Sequence, residues 1–226
     1  MISKVEDFWK NLLHPHILGL LAILLIVDIG FVAIDAYFHF TGYTVTWSVT
    51  EENSVPGICQ YLKEIAAAVL LILVARKTRI RGFFIWAYLS LYLFFDDIIQ
   101  LHEAAGGIVR NLTKWDMFLG LRDQDFGELG FSLIVGTIFL VCLVKAYQKG
   151  DPFFRIASRG LFASFFLLAF FGIVVDMLAI MLSDLRGPTF EWGLNTLEDG
   201  GEMFALSIIV TFCFYLYQRS NAVAES

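Results

Sequence analysis

Acidic side chains recur inside the most apolar stretches of this sequence. Seven carboxylates interrupt long aliphatic and aromatic runs, namely Asp28, Asp35, Glu64, Asp96, Asp97, Asp176 and Glu202. A charged group at the centre of a bilayer costs about 2.5–3.5 kcal/mol on insertion scales, so such groups face other helices, a partner or water. Only Lys63 offers a positive charge in the same stretches. Because like charges in a low-dielectric site repel, the carboxylates require bound cations, shared protons or a water-filled vestibule.

The spacing of the first acids predicts a shared helix face. At about 100° per residue, Asp28, Asp35 and His39 lie close to one line along a helix, at i, i+7 and i+11. Gln60 and Glu64 are one turn apart in the next apolar stretch. Each of these faces is expected to point into a helix bundle.

A second stripe is predicted in the segment that contains two adjacent aspartates. Asp96, Gln100 and Glu103 recur at i, i+4 and i+7, and Asp97 flanks the stripe. If the helix is continuous, His102 points away from Asp96 by about 120°.

Alternating helix directions place acids from every span at a comparable depth, which predicts one carboxylate-rich metal site. Its predicted ligands are Asp96, His102, Glu103, Glu128, Asp176, Glu198 and Glu202. Its predicted surrounding residues are Asp28, Asp35, His39, Glu64, Asp97, Gln100 and Asp199.

The ligand chemistry indicates which ion such a site would take. Carboxylate oxygens with one or two imidazoles suit a hard or borderline divalent cation, so Mn, Fe, Ca or Mg is favoured over Cu, and Zn remains compatible. This many acids can serve one ion or two. The sequence has no Glu-x-x-His pair of the di-iron type. Its three cysteines, Cys59, Cys142 and Cys213, are too far apart to predict a thiolate site.

Some of these acids have a simpler structural interpretation. Thr196 and Asp199 have the spacing of a capping box, which would tie down a helix N-terminus. Asp125 and Glu128 lie where a first helical turn favours anions. Two glycine pairs beside the acids are expected to let helices approach closely, Gly106-Gly107 and Gly200-Gly201.

The elements that must position these residues are membrane-spanning helices. The 226 residues are 58% hydrophobic and 17% charged, with a mean hydropathy of +0.71. A hydrocarbon core of about 30 Å needs about 20 apolar residues per helix. Six stretches qualify, at 17–41, 56–76, 82–108, 126–148, 158–183 and 197–218. We therefore predict an all-α polytopic bundle, a single six-helix domain over 1–226. Four tryptophans are predicted as interfacial anchors, Trp9, Trp47, Trp115 and Trp192.

The charge distribution predicts the orientation. Six spans put both termini on one side, and eleven of the sixteen Lys and Arg lie there, so both termini are expected in the cytoplasm. Of the 22 acids, four lie on that side, Glu6, Asp7, Asp151 and Glu225. We expect a bacterial cytoplasmic (inner) membrane with the acid site facing outward. The net charge of −6 argues against nucleic-acid binding.

Two functional classes are consistent with these observations. A membrane metalloenzyme, a hydrolase or oxidoreductase, would use the ion on a lipid-like or small membrane-soluble substrate. A cation or proton transporter or channel would use the same acids as a path. The inner halves of the spans are nearly unbroken apolar runs, which favours a one-sided site. No nucleophile motif is present, so no catalytic residue is assigned, and besides the lipid bilayer no partner is predicted.

Overall fold

The structure is a computed structural model that describes residues 8–42, 45–51, 53–113, 120–182 and 187–224. Six of its helical segments are long and apolar enough to cross a membrane, and no β-strand occurs within those ranges. The all-α, six-span prediction is therefore confirmed, and the orientation of the termini stays a prediction. Four residues named above lie outside the described ranges, namely Glu6, Asp7, Trp115 and Glu225.

The helices follow one another with short connections. The first three spans are α1 (Pro15–Thr41), α2 (Val55–Thr78) and α3 (Gly82–Ile99). A shorter helix, α4 (Leu101–Thr113), precedes the fourth span, α5 (Asp123–Lys149). The fifth span consists of α6 (Pro152–Ala169), a π-helical segment (Phe170–Val175) and α7 (Asp176–Leu182). The sixth is α8 (Pro188–Ala224).

Local sequence explains where several helices begin and end. The Ser54 hydroxyl accepts from the backbone N–H of Gly57 at 3.1 Å, which caps α2. Asp151 caps α6 in the same way, accepting from the N–H of Phe154 at 2.9 Å. Gly42, with a φ of 81°, closes α1 in the left-handed conformation that glycine adopts without strain.

The predicted third span is not one helix. Gln100 adopts a left-handed conformation, with φ 55° and ψ 49°, and ends α3 at Ile99. A new helix, α4, starts at Leu101, so the expectation of one helix over 82–108 is wrong. The stripe of Asp96, Gln100 and Glu103 is consequently divided between two helices.

The sixth span is longer and more central than predicted. It begins at Pro188, so Thr196 lies inside α8 and the predicted capping box with Asp199 is wrong. In its most apolar window, 67% of the residues are buried, against 11% in α1 and 6% in α5. The first, second and fifth spans pack against α8, and α1 and α5 are the least buried spans.

The apolar core fills the half of the bundle that carries most of the bases. Leu71 and Val74 of α2, Phe83 of α3, Leu161 of α6 and Ile209 of α8 are fully buried there. The buried carboxylates of the described residues lie in the middle and at the opposite end of the bundle.

Candidate functional site

The break between α3 and α4 brings Asp96 and His102 together. Oδ1 of Asp96 accepts from the backbone N–H of His102 at 3.1 Å, and Oδ2 lies 3.1 Å from the imidazole Nδ1. The expectation that His102 points away from Asp96 is therefore wrong, because the left-handed Gln100 turns the chain back. Tyr92, one turn before Asp96, also hydrogen-bonds with its carboxylate.

His102 lies on α4, outside the spanning segments, and it is basic. The hydrogen bond to Asp96 raises the pKa of His102 to about 9, burial opposes this effect, and the nearby carboxylates of Glu128 and Glu103 add to it. At neutral pH the imidazole is therefore a cation paired with Asp96.

A close contact of α4 with α5 places Glu128 beside this pair. A Cβ on Gly106 would lie 2.6 Å from Cγ of Glu128 and 2.7 Å from the carbonyl oxygen of Gln124, so only glycine fits there. Gln124 donates to Oε1 of Glu128 at 2.8 Å. The close approach predicted for Gly106-Gly107 is confirmed at Gly106, whereas a Cβ on Gly107 would have nothing within 4 Å.

Asp125 has a different role from Glu128. Its carboxylate accepts from the backbone N–H of Arg122 at 2.7 Å and forms an ion pair with the Arg122 guanidinium at 2.7 Å. The helix-end interpretation is therefore confirmed for Asp125. Glu128, one turn further on, interacts electrostatically with His102 and Glu103.

Glu202 of α8 occupies the centre of the remaining acids. Oε2 of Glu202 accepts from Nε2 of Gln60 at 3.1 Å. A Cβ on Gly172 would overlap the Glu202 carboxylate, so the π-helical segment makes room for it. Asp97, Glu198 and Asp176 lie within electrostatic range of Glu202.

Glu64 of α2 is the most deeply buried of these acids, with 2% of its surface exposed. Its carboxyl hydrogen-bonds with Asp97 and interacts electrostatically with Glu202 and Asp96. Oε2 of Glu64 is buried with no hydrogen-bond partner among the described residues. A buried carboxyl oxygen without a partner is costly unless a proton, water or ion satisfies it.

These contacts connect the predicted ligands into one group. Asp176 interacts electrostatically with Glu128 and His102, and Glu198 with Asp199 and Asp176. We call the following set the acid cluster: Glu64, Asp96, Asp97, His102, Glu103, Glu128, Asp176, Glu198 and Glu202. No three His, Cys, Asp or Glu side chains in the described part of the chain are arranged to hold a metal ion. Metal ligation by this cluster stays a prediction.

Asp28 lies in a separate network halfway along α1. Its Oδ1 is 2.5 Å from Nζ of Lys63, and its Oδ2 accepts from the hydroxyl of Ser207 at 2.6 Å. Lys63 also donates to the carbonyl oxygen of Met203 at 3.2 Å. Asp28 and Lys63 are 0% and 4% exposed. We call these two residues the midplane pair.

Asp35 and His39 diverge near the end of α1. Asp35 is buried and accepts from the indole N–H of Trp192 at 2.9 Å, from Thr196 at 3.4 Å and from the backbone N–H of Val49 at 3.3 Å. His39 is exposed and stacks on Trp192 with a ring separation of 4.4 Å. Asp35 therefore fastens the end of α1 to α8.

Sequence reasoning missed three partners of the buried acids. Tyr92 could have been found, because it precedes Asp96 by one turn and shares its helix face. Trp192 is predicted as an interfacial anchor, which stays a prediction, and its indole also donates to Asp35. Ser207 carried no signal, since a hydroxyl in an apolar helix commonly bonds to its own backbone.

The comparison with known proteins gives the family of the chain. A sequence model described as "Domain of unknown function (DUF8692)" matches residues 17–218, so the chain belongs to this family. No curated protein and no solved structure matches it.

Proposed function

We propose that this member of the DUF8692 family moves protons across the membrane, with the acid cluster as the access from one side and the midplane pair as the relay. The observation that carries this proposal is the buried ion pair of Asp28 and Lys63 next to the acid cluster. An ionisable pair inside a membrane bundle is a functional-site hypothesis by default.

Helix α2 connects the two parts. Gln60 bonds with Glu202 and Glu64 with Asp97, both in the acid cluster, while Lys63 bonds with Asp28. At about 1.5 Å per residue, these α2 positions span about 6 Å along the helix. The contacts of α2 with the acid cluster and with the midplane pair therefore lie within about one helical turn of each other.

Polar groups also continue from the midplane pair toward the other end of the bundle. Ser207 bonds with Asp28, and Thr211, one turn further along α8, donates to the carbonyl oxygen of Ser207 at 2.8 Å. Thr211 lines a cleft of about 370 Å³ whose lining is mostly apolar and also includes Ser164 and Arg159. Of these contacts, the bond of Ser207 with Asp28 joins two helices, whereas Thr211 bonds to the backbone of its own helix. The proposed path would leave the midplane pair through Ser207 and reach this cleft.

The acid cluster holds more carboxylates than the bases beside it can compensate. Glu64 lies in electrostatic range of Asp97, Glu202 and Asp96, and its Oε2 has no hydrogen-bond partner among the described residues. Lys63 is engaged by Asp28. Carboxylates packed in this way require bound protons or a cation, and this proposal assigns that compensation to protons.

Proton flux into liposomes tests this function. Purified protein is reconstituted with a pH-sensitive dye inside, and a potassium diffusion potential drives protons inward. Wild type is expected to acidify the lumen faster than empty liposomes, and Asp28→Asn is expected to abolish the difference. Glu191→Gln is the matched control, because it removes an exposed carboxylate. Equal rates for wild type, Asp28→Asn and empty liposomes would contradict the proposal.

A second candidate, a metal-dependent membrane enzyme, has its own supporting observation. Asp96 engages Nδ1 of His102, an arrangement by which carboxylates orient metal-binding imidazoles and leave Nε2 for the ion. Glu128 and Asp176 lie in range as oxygen ligands. A Mn, Fe, Ca or Mg ion there would activate water or oxygen for reaction with a lipid-like substrate.

Elemental analysis and chelation separate the two candidates. If a metal is resident, purified protein contains it stoichiometrically, chelation lowers the melting temperature, and Glu202→Gln or Asp96→Asn abolishes that response. A ligand at about a hundredfold excess over Kd stabilises by about 2.7 kcal/mol, which a thermal-shift assay resolves. A metal-free protein with a melting curve indifferent to chelator rejects the metalloenzyme and leaves the proton proposal standing.

A further inference from the structure

We propose that a cleft at the base-rich end of the bundle binds the headgroup of an anionic phospholipid. The cleft has a volume of about 280 Å³ and lies between the start of α3 and the junction of α5 with α6. We call it the basic cleft; its lining includes Arg81, Ile85, Ala146, Lys149 and Phe154. It is remote from both the acid cluster and the midplane pair.

Two cations of the basic cleft are available to a ligand. Within the described residues, the side chains of Arg81 and Lys149 make no hydrogen bond and no ion pair. Two bases near the cleft are engaged elsewhere: Arg155 donates to the carbonyl oxygen of Gln148 at 2.9 Å and Arg159 to the hydroxyl of Tyr147 at 2.9 Å. Arg81 and Lys149 are therefore free to neutralise an anion.

No carboxylate competes for these cations from within the lining. The acid next to the lining in sequence, Asp151, directs Oδ1 to the backbone N–H of Phe154 at 2.9 Å as the cap of α6. The cleft is therefore positive overall, which matches a phosphodiester.

The rest of the lining is apolar, which distinguishes a lipid from a soluble anion. Ile85 and Ala146, both half-buried, provide the apolar surface beside the two cations, and the lining also includes the fully buried Phe154. Gly82 and Gly150 pass directly over the ring of Phe154, where a Cβ would lie 2.5 Å from it. Free phosphate would use only the cations, whereas a phospholipid also covers the apolar surface with its glycerol and first methylenes.

The position of the cleft agrees with this ligand. Arg81 immediately precedes α3, and Lys149 is the last residue of α5, so both mark the ends of spans. Basic clefts between helices at the cytoplasmic membrane surface are typical binding places for anionic headgroups.

Native mass spectrometry of the detergent-purified full chain tests this site with phosphatidylglycerol and phosphatidylcholine as probes. Each base near an anionic lipid contributes about fivefold in affinity, so Arg81→Gln with Lys149→Gln is expected to weaken phosphatidylglycerol binding about 25-fold. The charge-conserving pair Arg81→Lys with Lys149→Arg is expected to retain it. Lys145→Gln is the matched control, because this exposed lysine does not line the cleft.

Three results would overturn the assignment. Equal retention of phosphatidylglycerol and phosphatidylcholine by wild type would show that the cleft does not select an anionic headgroup. An equal loss in Lys145→Gln would indicate attraction to the whole basic surface. Displacement of phosphatidylglycerol by inorganic phosphate at equal concentration would identify a soluble anion as the ligand.

Discussion

Removing the Asp28 carboxylate while Lys63 remains is expected to destabilise the bundle strongly. Asp28→Leu leaves the ammonium of Lys63, 4% exposed, with the carbonyl oxygen of Met203 as its only remaining partner among the described residues. The hydroxyl of Ser207 loses its acceptor at the same time. Lys63→Met with Asp28→Leu removes both charges and leaves an apolar contact between α1 and α2.

The magnitudes of these two changes differ widely. Breaking a buried ion pair by removing one partner costs about 3–5 kcal/mol. For a chain of this size that corresponds to a fall in melting temperature of roughly 10 °C. Replacing both partners with apolar side chains is often neutral or stabilising by about 1–4 kcal/mol. The double variant should therefore recover most of the stability, with a coupling free energy of at least about 2 kcal/mol.

Equilibrium unfolding in mixed detergent micelles measures the free energy of unfolding of all four proteins in this double-mutant cycle: wild type, Asp28→Leu, Lys63→Met and the double variant. Lys145→Met is the control for loss of a lysine at an exposed position, and it should change the free energy of unfolding by less than about 0.5 kcal/mol. If Asp28→Leu alone and the double variant are equally stable, the ion pair does not hold the bundle together and our reasoning about buried charge is refuted. If the double variant is stable but passes protons as wild type does, the pair has only a structural role.

Three further outcomes are expected. Gly106→Ala should destabilise by about 1–3 kcal/mol, because its Cβ meets Glu128, whereas Gly107→Ala, with nothing within 4 Å of its Cβ, should be neutral or stabilising in thermal unfolding. The raised pKa of His102, about 9 against an ordinary 6.5, means that its pairing with Asp96 stabilises fully below pH 6.5 and is lost as the pH rises through 9. Asp96→Asn should flatten the melting temperature across that window. Reporter fusions at the C-terminus should show a cytoplasmic location, and an external one would reverse the predicted topology.

Hydropathy predicted the spans because it measures the transfer of each segment from water to lipid, which does not depend on neighbouring helices. Because hydropathy does not depend on neighbouring residues in space, it does not predict local breaks in a helix or contacts between helices. The sequence does not predict the left-handed conformation of Gln100, since glycine and asparagine are the residues typical of that conformation at a helix end. Without this break, the contact of Asp96 with His102 could not be foreseen.

Pairing between spans depends on the rotation and tilt of each helix, which packing determines. Asp28 and Asp35 share a face of α1 as their spacing predicts, and both are buried. Their partners nevertheless differ, because Asp28 meets Lys63 whereas Asp35 meets Trp192. The sequence of one chain therefore predicts which face of a helix a residue lies on, but it does not predict which residue of another helix its side chain contacts.

The central position of α8 has a consequence for biogenesis. Membrane helices insert first and associate afterwards, and synthesis proceeds from the N-terminus at about 5–20 residues per second. Asp28 and Lys63 belong to the first two spans and can neutralise each other early. Gln60 and Asp35 lack their partners Glu202 and Trp192 until the sixth span has been synthesised and inserted. A nascent chain stalled before α8 would therefore present unsatisfied polar groups to lipid, which is the kind of defect that membrane proteases and chaperones remove.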